Sequence, residues 1–161
     1  MPWHSSVTTV SVDVPASLVG YDYGVTEVIS VATEGGGVSL VTVVEASRVT
    51  GGGIIERVPV VVLRNGDDGE VSKVVVLEGD MLPSGIVPRD VGSFTARVNA
   101  DGSVDVFISH LVVDPDTGLY VVAIAIVYLD ANGEVVGRES VECPDVEPVS
   151  YTHLRAHETI A

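Results

Sequence analysis

Apolar and polar residues alternate in short runs along most of this chain, and turn chemistry divides the runs. From Ser103 to His110 the order Ser-Val-Asp-Val-Phe-Ile-Ser-His puts Val104, Val106 and Ile108 on one face of an extended strand, because successive side chains point to opposite sides. Nine runs of this kind are predicted as strands: 6–14, 25–32, 38–46, 54–63, 70–78, 92–99, 103–113, 119–130 and 134–142. The longest apolar run, Leu119 to Leu129, falls short of the roughly 20 residues a membrane helix needs and reads as a strand buried on both faces. Before position 149 no segment sustains the 3.6-residue period of an amphipathic helix.

The links between runs carry the residues that tight turns require. Gly35-Gly36-Gly37 and Gly51-Gly52-Gly53 are two of them. Asn65-Gly66-Asp67-Asp68-Gly69, Asn99-Ala100-Asp101-Gly102, Asp114-Pro115-Asp116-Thr117-Gly118 and Asp130-Ala131-Asn132-Gly133 are hairpin-like and argue for antiparallel pairing. Met81 to Val91 contains Pro83 and Pro88, which cannot donate to a ladder, so this stretch is expected to cross between sheets as a loop. A second irregular stretch runs from Pro15 to Gly24. The fold expected is all-β, an antiparallel β-sandwich of about nine strands, with an edge-containing barrel as the alternative; its immunoglobulin-like type is what the resemblance of Leu119 to Val136, described below, implies. One domain is expected over residues 1–148; division near Asn99 to Gly102 would leave two sandwiches with thin cores.

Composition strengthens this reading. Valine occupies 36 of the 161 positions, and a β-branched side chain, stiff at χ1, fits a pleated sheet better than a helix. Eight Lys and Arg stand against 23 Asp and Glu, a formal charge of −15. That balance argues against nucleic acid and against an anionic membrane as partners, and leaves a protein or a glycan. Cys143 has no second cysteine to pair with. The N-terminus shows neither a basic n-region nor an apolar h-region, so no signal peptide is expected in this chain.

Val149-Ser150-Tyr151-Thr152-His153-Leu154-Arg155-Ala156-His157-Glu158-Thr159 breaks with the valine-rich pattern and resembles a translated sequencing-adaptor read-through. The resemblance implies a non-native tail over 149–161 and a gene cut near Pro148. A second resemblance covers Leu119 to Val136, where an apolar strand ending in Tyr128-Leu129-Asp130 is followed by the turn at Gly133 and a returning strand. This stretch is similar to the signature hairpin of FxLYD-type immunoglobulin-like domains of prokaryotic envelope proteins, with Ile126 at the aromatic position and the Tyr-Leu order reversed. It implies a surface or extracytoplasmic accessory module without catalytic residues.

Candidate chemistry is sparse. His153 and His157 have the spacing that on a helix would present two imidazoles to one metal, but both lie in the expected tail. His110 shares a strand face with Val104, Val106 and Ile108 and reads as a satisfied core or edge histidine. Asp67, Asp68, Asp114 and Asp116 are calcium candidates, because a hard cation takes several oxygens from short acidic loops. Neither turn continues as an EF-hand, for Ala125 and Val76 stand where a bidentate Glu would be needed. Tyr21 and Tyr23 flank Asp22 and are candidates for a carbohydrate platform, with packing as a tyrosine corner the competing reading. No P-loop, dinucleotide fingerprint or G-x-S-x-G elbow is present. The function expected is therefore a non-catalytic module for adhesion, scaffolding or ligand binding, without a cofactor; the alternative is a carbohydrate-active or other hydrolytic accessory whose carboxylates come from separate strands.

Overall fold

The computed structural model describes residues 12–66 and 68–142. Trp3, His4, Asp67, Cys143, His153, His157 and the whole expected tail lie outside the described residues. So does most of the expected strand 6–14, and its described part, Val12 to Val14, is not in a strand.

Eight strands are found among the described residues, in place of the nine expected: β1 (Asp22–Ala32), β2 (Val38–Val49), β3 (Ile55–Asn65), β4 (Val71–Val76), β5 (Val91–Val98), β6 (Val104–Val113), β7 (Tyr120–Leu129) and β8 (Val135–Glu142). They form two antiparallel four-stranded sheets in the orders β1-β2-β3-β4 and β5-β6-β7-β8. Each sheet is thus a meander of consecutive strands. The chain passes between them through residues 77–90, where Pro83 and Pro88 stand and two 3-10 turns, Gly79–Met81 and Pro88–Asp90, carry the crossing. Asn99 to Gly102, weighed above as a junction between two sandwiches, is the β5–β6 hairpin turn inside the second sheet.

Alternation decides which side chains meet. Val41 and Val43 of β2, Val61 and Leu63 of β3 and Val75 of β4 face Phe94, Val104, Val106, Ile108, Ala125, Val127 and Leu129 of the second sheet in one core. The arrangement is sandwich-like, two apolar sheet faces closing on each other. Leu77 and Leu82 of the crossing segment plug the same core.

The first sheet is also apolar on its other side. Ala46, Val58, Val60 and Val62 form a second buried cluster there with Leu18, and Val44, Val74 and Val76 pack against it. Consequently every residue of β3 from Val58 to Leu63 is buried, a run apolar on both faces. Pro59 fits inside this central strand because its carbonyl accepts from Leu77 N–H at 2.9 Å, just beyond the end of β4. Its nitrogen faces that same side, where β4 has ended and no ladder donor is needed. The second sheet differs. On β7, Ala123, Ala125, Val127 and Leu129 are buried, but Tyr120 and Val122 are exposed. The expectation that this strand is buried on both faces is therefore corrected: nothing among the described residues lies over that end of it.

Polar contacts stitch both lateral seams. At β1 and β5, a bulge between Val25 and Glu27 turns Glu27 toward the other sheet, where its carboxylate accepts from the Thr95 hydroxyl at 2.6 Å and the Ala96 N–H at 2.9 Å. At the opposite seam, Lys73 of β4 pairs with Glu134, and Arg138 of β8 donates to the carbonyl of Asp80.

Candidate functional site

The hairpin turns sort to two ends of the molecule. Glu34 N–H donates to Ala100 carbonyl at 3.1 Å, and Gly66 N–H to Val38 carbonyl at 3.2 Å, so the β1–β2, β3–β4 and β5–β6 turns share one end. In an antiparallel meander the β6–β7 turn is then at the far end, with the β2–β3 turn and the crossing segment; Arg57 of β3 reaches Val91 carbonyl there at 3.5 Å. Asp68 is accordingly at one end, while Asp114 and Asp116 are at the other. The calcium candidates are not brought together, and Asp67 lies outside the described residues. Each turn uses its own carboxylate: Asp68 Oδ1 accepts from Glu70 N–H at 2.9 Å and Asp114 Oδ1 from Asp116 N–H at 2.9 Å. Among the described residues no three His, Cys, Asp or Glu side chains gather where they could share a metal ion.

The two tyrosines also serve separate contacts. Tyr23 Oη donates to Leu18 carbonyl at 2.5 Å, five residues upstream, as a tyrosine corner does. Tyr21 packs against the outer cluster and carries the Arg48 guanidinium 4.7 Å from its ring centroid. Arg48 is held by Glu56 at 2.6 Å, and that hydrogen bond raises its pKa further. One face of Tyr21 is thus occupied by a cation, whereas Tyr23 remains 46% exposed.

His110 is a core residue, 5% exposed. It is not a satisfied one: its Nε2 has no hydrogen-bond partner among the described residues, and its Nδ1 lies 3.3 Å from the Leu111 carbonyl. That corrects the expectation for this side chain.

Two apolar surfaces stand out. On the outer face of the second sheet, Leu111 pairs across from Val122 and Val113 from Tyr120, and all four are more than two-fifths exposed. On the first sheet, a groove of about 260 Å³ lies between the chain at Val12 to Leu18 and the outer valines Val44, Val60, Val62 and Val74. Tyr23 and Val25 complete its wall, and among the described residues Asp13 is the one charged residue lining it. Reading the sequence missed both surfaces. The signal for the groove was present in the unbroken run Val58-Pro59-Val60-Val61-Val62-Leu63, which alternates with nothing and so requires cover on both sides.

No protein-family model, curated protein or solved structure matches this chain. Among the described residues no helix is long and apolar enough to cross a membrane. What the fold defines is an all-β chain of two packed antiparallel meanders.

Proposed function

We propose that this chain is a non-catalytic β-sandwich module that binds a protein partner through the outer face of its second sheet. The observation carrying this reading is the four-residue patch of Leu111, Val113, Tyr120 and Val122, contiguous across two paired strands and flanked by exposed Leu119 and Val141. A flat aliphatic surface with a tyrosine at its margin suits another protein's apolar side chains, and contiguous exposed apolar area on a soluble domain marks contact sites. The immunoglobulin-like kinship suggested by Leu119 to Val136 enters this reading as a proposal too. Two packed antiparallel sheets and the Tyr23 corner support it, while the single crossing between meanders is this chain's own connectivity. Surface placement in a prokaryotic envelope protein is part of the same proposal.

Selection of displayed random peptides on the immobilised domain tests the reading. Binders are expected to be rich in aliphatic and aromatic residues and to lose binding to a Leu111→Glu, Val122→Glu variant that melts like the parent. Peptides that bind parent and variant equally would sink the proposal.

A further inference from the structure

We infer that residues 12–18 form a displaceable arm and that the groove beneath them also accepts the same arm from a second copy of this chain, giving an arm-exchanged dimer. The observations are independent of the second-sheet patch. Leu18 anchors the arm, fully buried in a cluster separate from the core between the sheets. The rest of the arm is loosely held. Val12 and Val14 line the groove yet remain 39% and 53% exposed. Among the described residues, the backbone–backbone bonds of the arm are local, Leu18 N–H to Pro15 carbonyl at 2.9 Å and Tyr21 N–H to Leu18 carbonyl at 3.1 Å; its tie to the sheet is the Tyr23 hydroxyl on the Leu18 carbonyl, with no ladder bond. An element with one buried anchor and no ladder bonds opens at a fraction of the global unfolding free energy.

The hinge is equally plain. Val19 is 72% exposed, and Gly20 has φ +90° with nothing within 4 Å of where a β-carbon would stand. The turn can therefore open at Val19 and Gly20 while Tyr21 stays packed against the outer cluster under Arg48. The arm itself forms one wall of the groove, with Val12, Val14 and Leu18 set against the valines of the sheet, so the face beneath is already matched to this segment. An identical chain supplies an identical arm, and reciprocal exchange closes as a two-fold dimer without any new contact having to be designed. The chain's formal charge of −15 is little felt at the groove, where Asp13 is the one charged lining residue among those described.

Sedimentation velocity on the full chain tests the inference. A monomer–dimer equilibrium is expected, and Gly20→Ala should raise the association constant at least about tenfold, the factor a β-carbon carries in this backbone region when the closed hinge is released. Leu18→Asp and Val44→Asp chains should each be monomeric, because one spoils the arm and the other the groove. Mixed, they should form a heterodimer that joins the sound arm to the sound groove. Leu111→Glu should leave all of this unchanged, which separates the arm from the second-sheet patch. A Gly20→Ala chain that stays monomeric at all concentrations, a mixture that gives no heterodimer, or a Leu18→Asp chain that dimerises as well as the parent would each overturn the inference. Should Leu18→Asp fail to fold, the Gly20→Ala comparison decides alone.

Discussion

Glu27 of β1 and Ala96 of β5 belong to different sheets, and the Glu27 carboxylate accepts the Ala96 backbone N–H at 2.9 Å. Both strands are sheet edges, where a row of unpaired donors would otherwise invite a foreign strand. The bulge between Val25 and Glu27 makes the contact, because it keeps Val25 and Val28 on the outer face and sends Glu27 inward. Glu27→Ala should lower unfolding stability by about 1–3 kcal/mol, the range for a part-buried donor that loses a charged acceptor. Urea denaturation measures it. A change under about 0.5 kcal/mol, that of an ordinary surface substitution, would show that the seam holds without this carboxylate.

His110 stands on the inner face of β6 beside Ile108, and among the described residues its buried Nε2 has no partner. A buried polar atom left without a partner carries its full desolvation cost, and an apolar side chain of similar size removes that cost. His110→Leu should therefore melt at or above the parent, with a gain of up to about 1 kcal/mol. A loss of more than about 2 kcal/mol would mean that the Nδ1 contact with the Leu111 carbonyl outweighs the unpaired Nε2.

Much of the fold was legible because strand alternation and turn residues are local. The eight runs from 25–32 onward each coincide with a strand to within a few residues, and Pro83 and Pro88 marked the crossing segment correctly. What failed depends on what lies above a face. Nothing within Leu119 to Leu129 tells that Tyr120 and Val122 lie uncovered while Ala123 and Ala125 are buried. Nor does the order of residues 12–18 reveal that Leu18 covers Val58 and Val60, a contact some forty positions away in the chain. The turn carboxylates were legible as turn formers, but their assignment to opposite ends follows from sheet pairing, which no spacing rule contains.

Calcium binding follows from that geometry. Asp68 and Asp114 cap turns at opposite ends, and each loop must recruit four or more further oxygens from backbone, neighbours or water. No saturable site tighter than roughly 10⁻⁴ M is expected by calorimetry at physiological salt. Micromolar binding abolished by Asp114→Asn or by Asp68→Asn would contradict this.

Two surface groups give the stability a pH signature at both extremes. The Tyr128 hydroxyl donates to Glu139, and this hydrogen bond, with lesser contributions from desolvation and the same charge, raises the hydroxyl above its ordinary 10.0. A raised value means a contribution fully present below pH 10.0 and lost as pH rises through the folded value. Asp101 is the reverse case, held below 3.8 chiefly by the Ser103 hydroxyl and then by its N–H, so its contribution is lost as pH falls through the lowered value. Tyr128→Phe should flatten the alkaline limb of melting temperature against pH and leave the acid limb as it was. Ser103→Ala should do the opposite, and a variant that moved the wrong limb would refute the assignment.

Gly133 closes the β7–β8 turn with φ +82°, and it is buried under the first sheet. A β-carbon there would meet Leu63 Cδ1 at 3.0 Å, Lys73 Cδ at 3.0 Å and Val75 Cγ2 at 3.1 Å. Gly118, in the β6–β7 turn, has φ +70° and nothing within 4 Å. Substitution by alanine places both in the left-handed region, at about 1–2 kcal/mol each. Only at Gly133 must two strands of the opposite sheet also give way, and overpacking of that kind adds about 1–3 kcal/mol. Gly133→Ala should therefore destabilise clearly more than Gly118→Ala in paired urea titrations. Lys73 also pairs with Glu134, so displacement of its side chain by the new methyl should weaken that seam as well. Equal losses in the two variants would mean that the turn end of β7 and β8 does not press against β3 and β4, and that the closeness of the sheets at Gly133 does not contribute to stability.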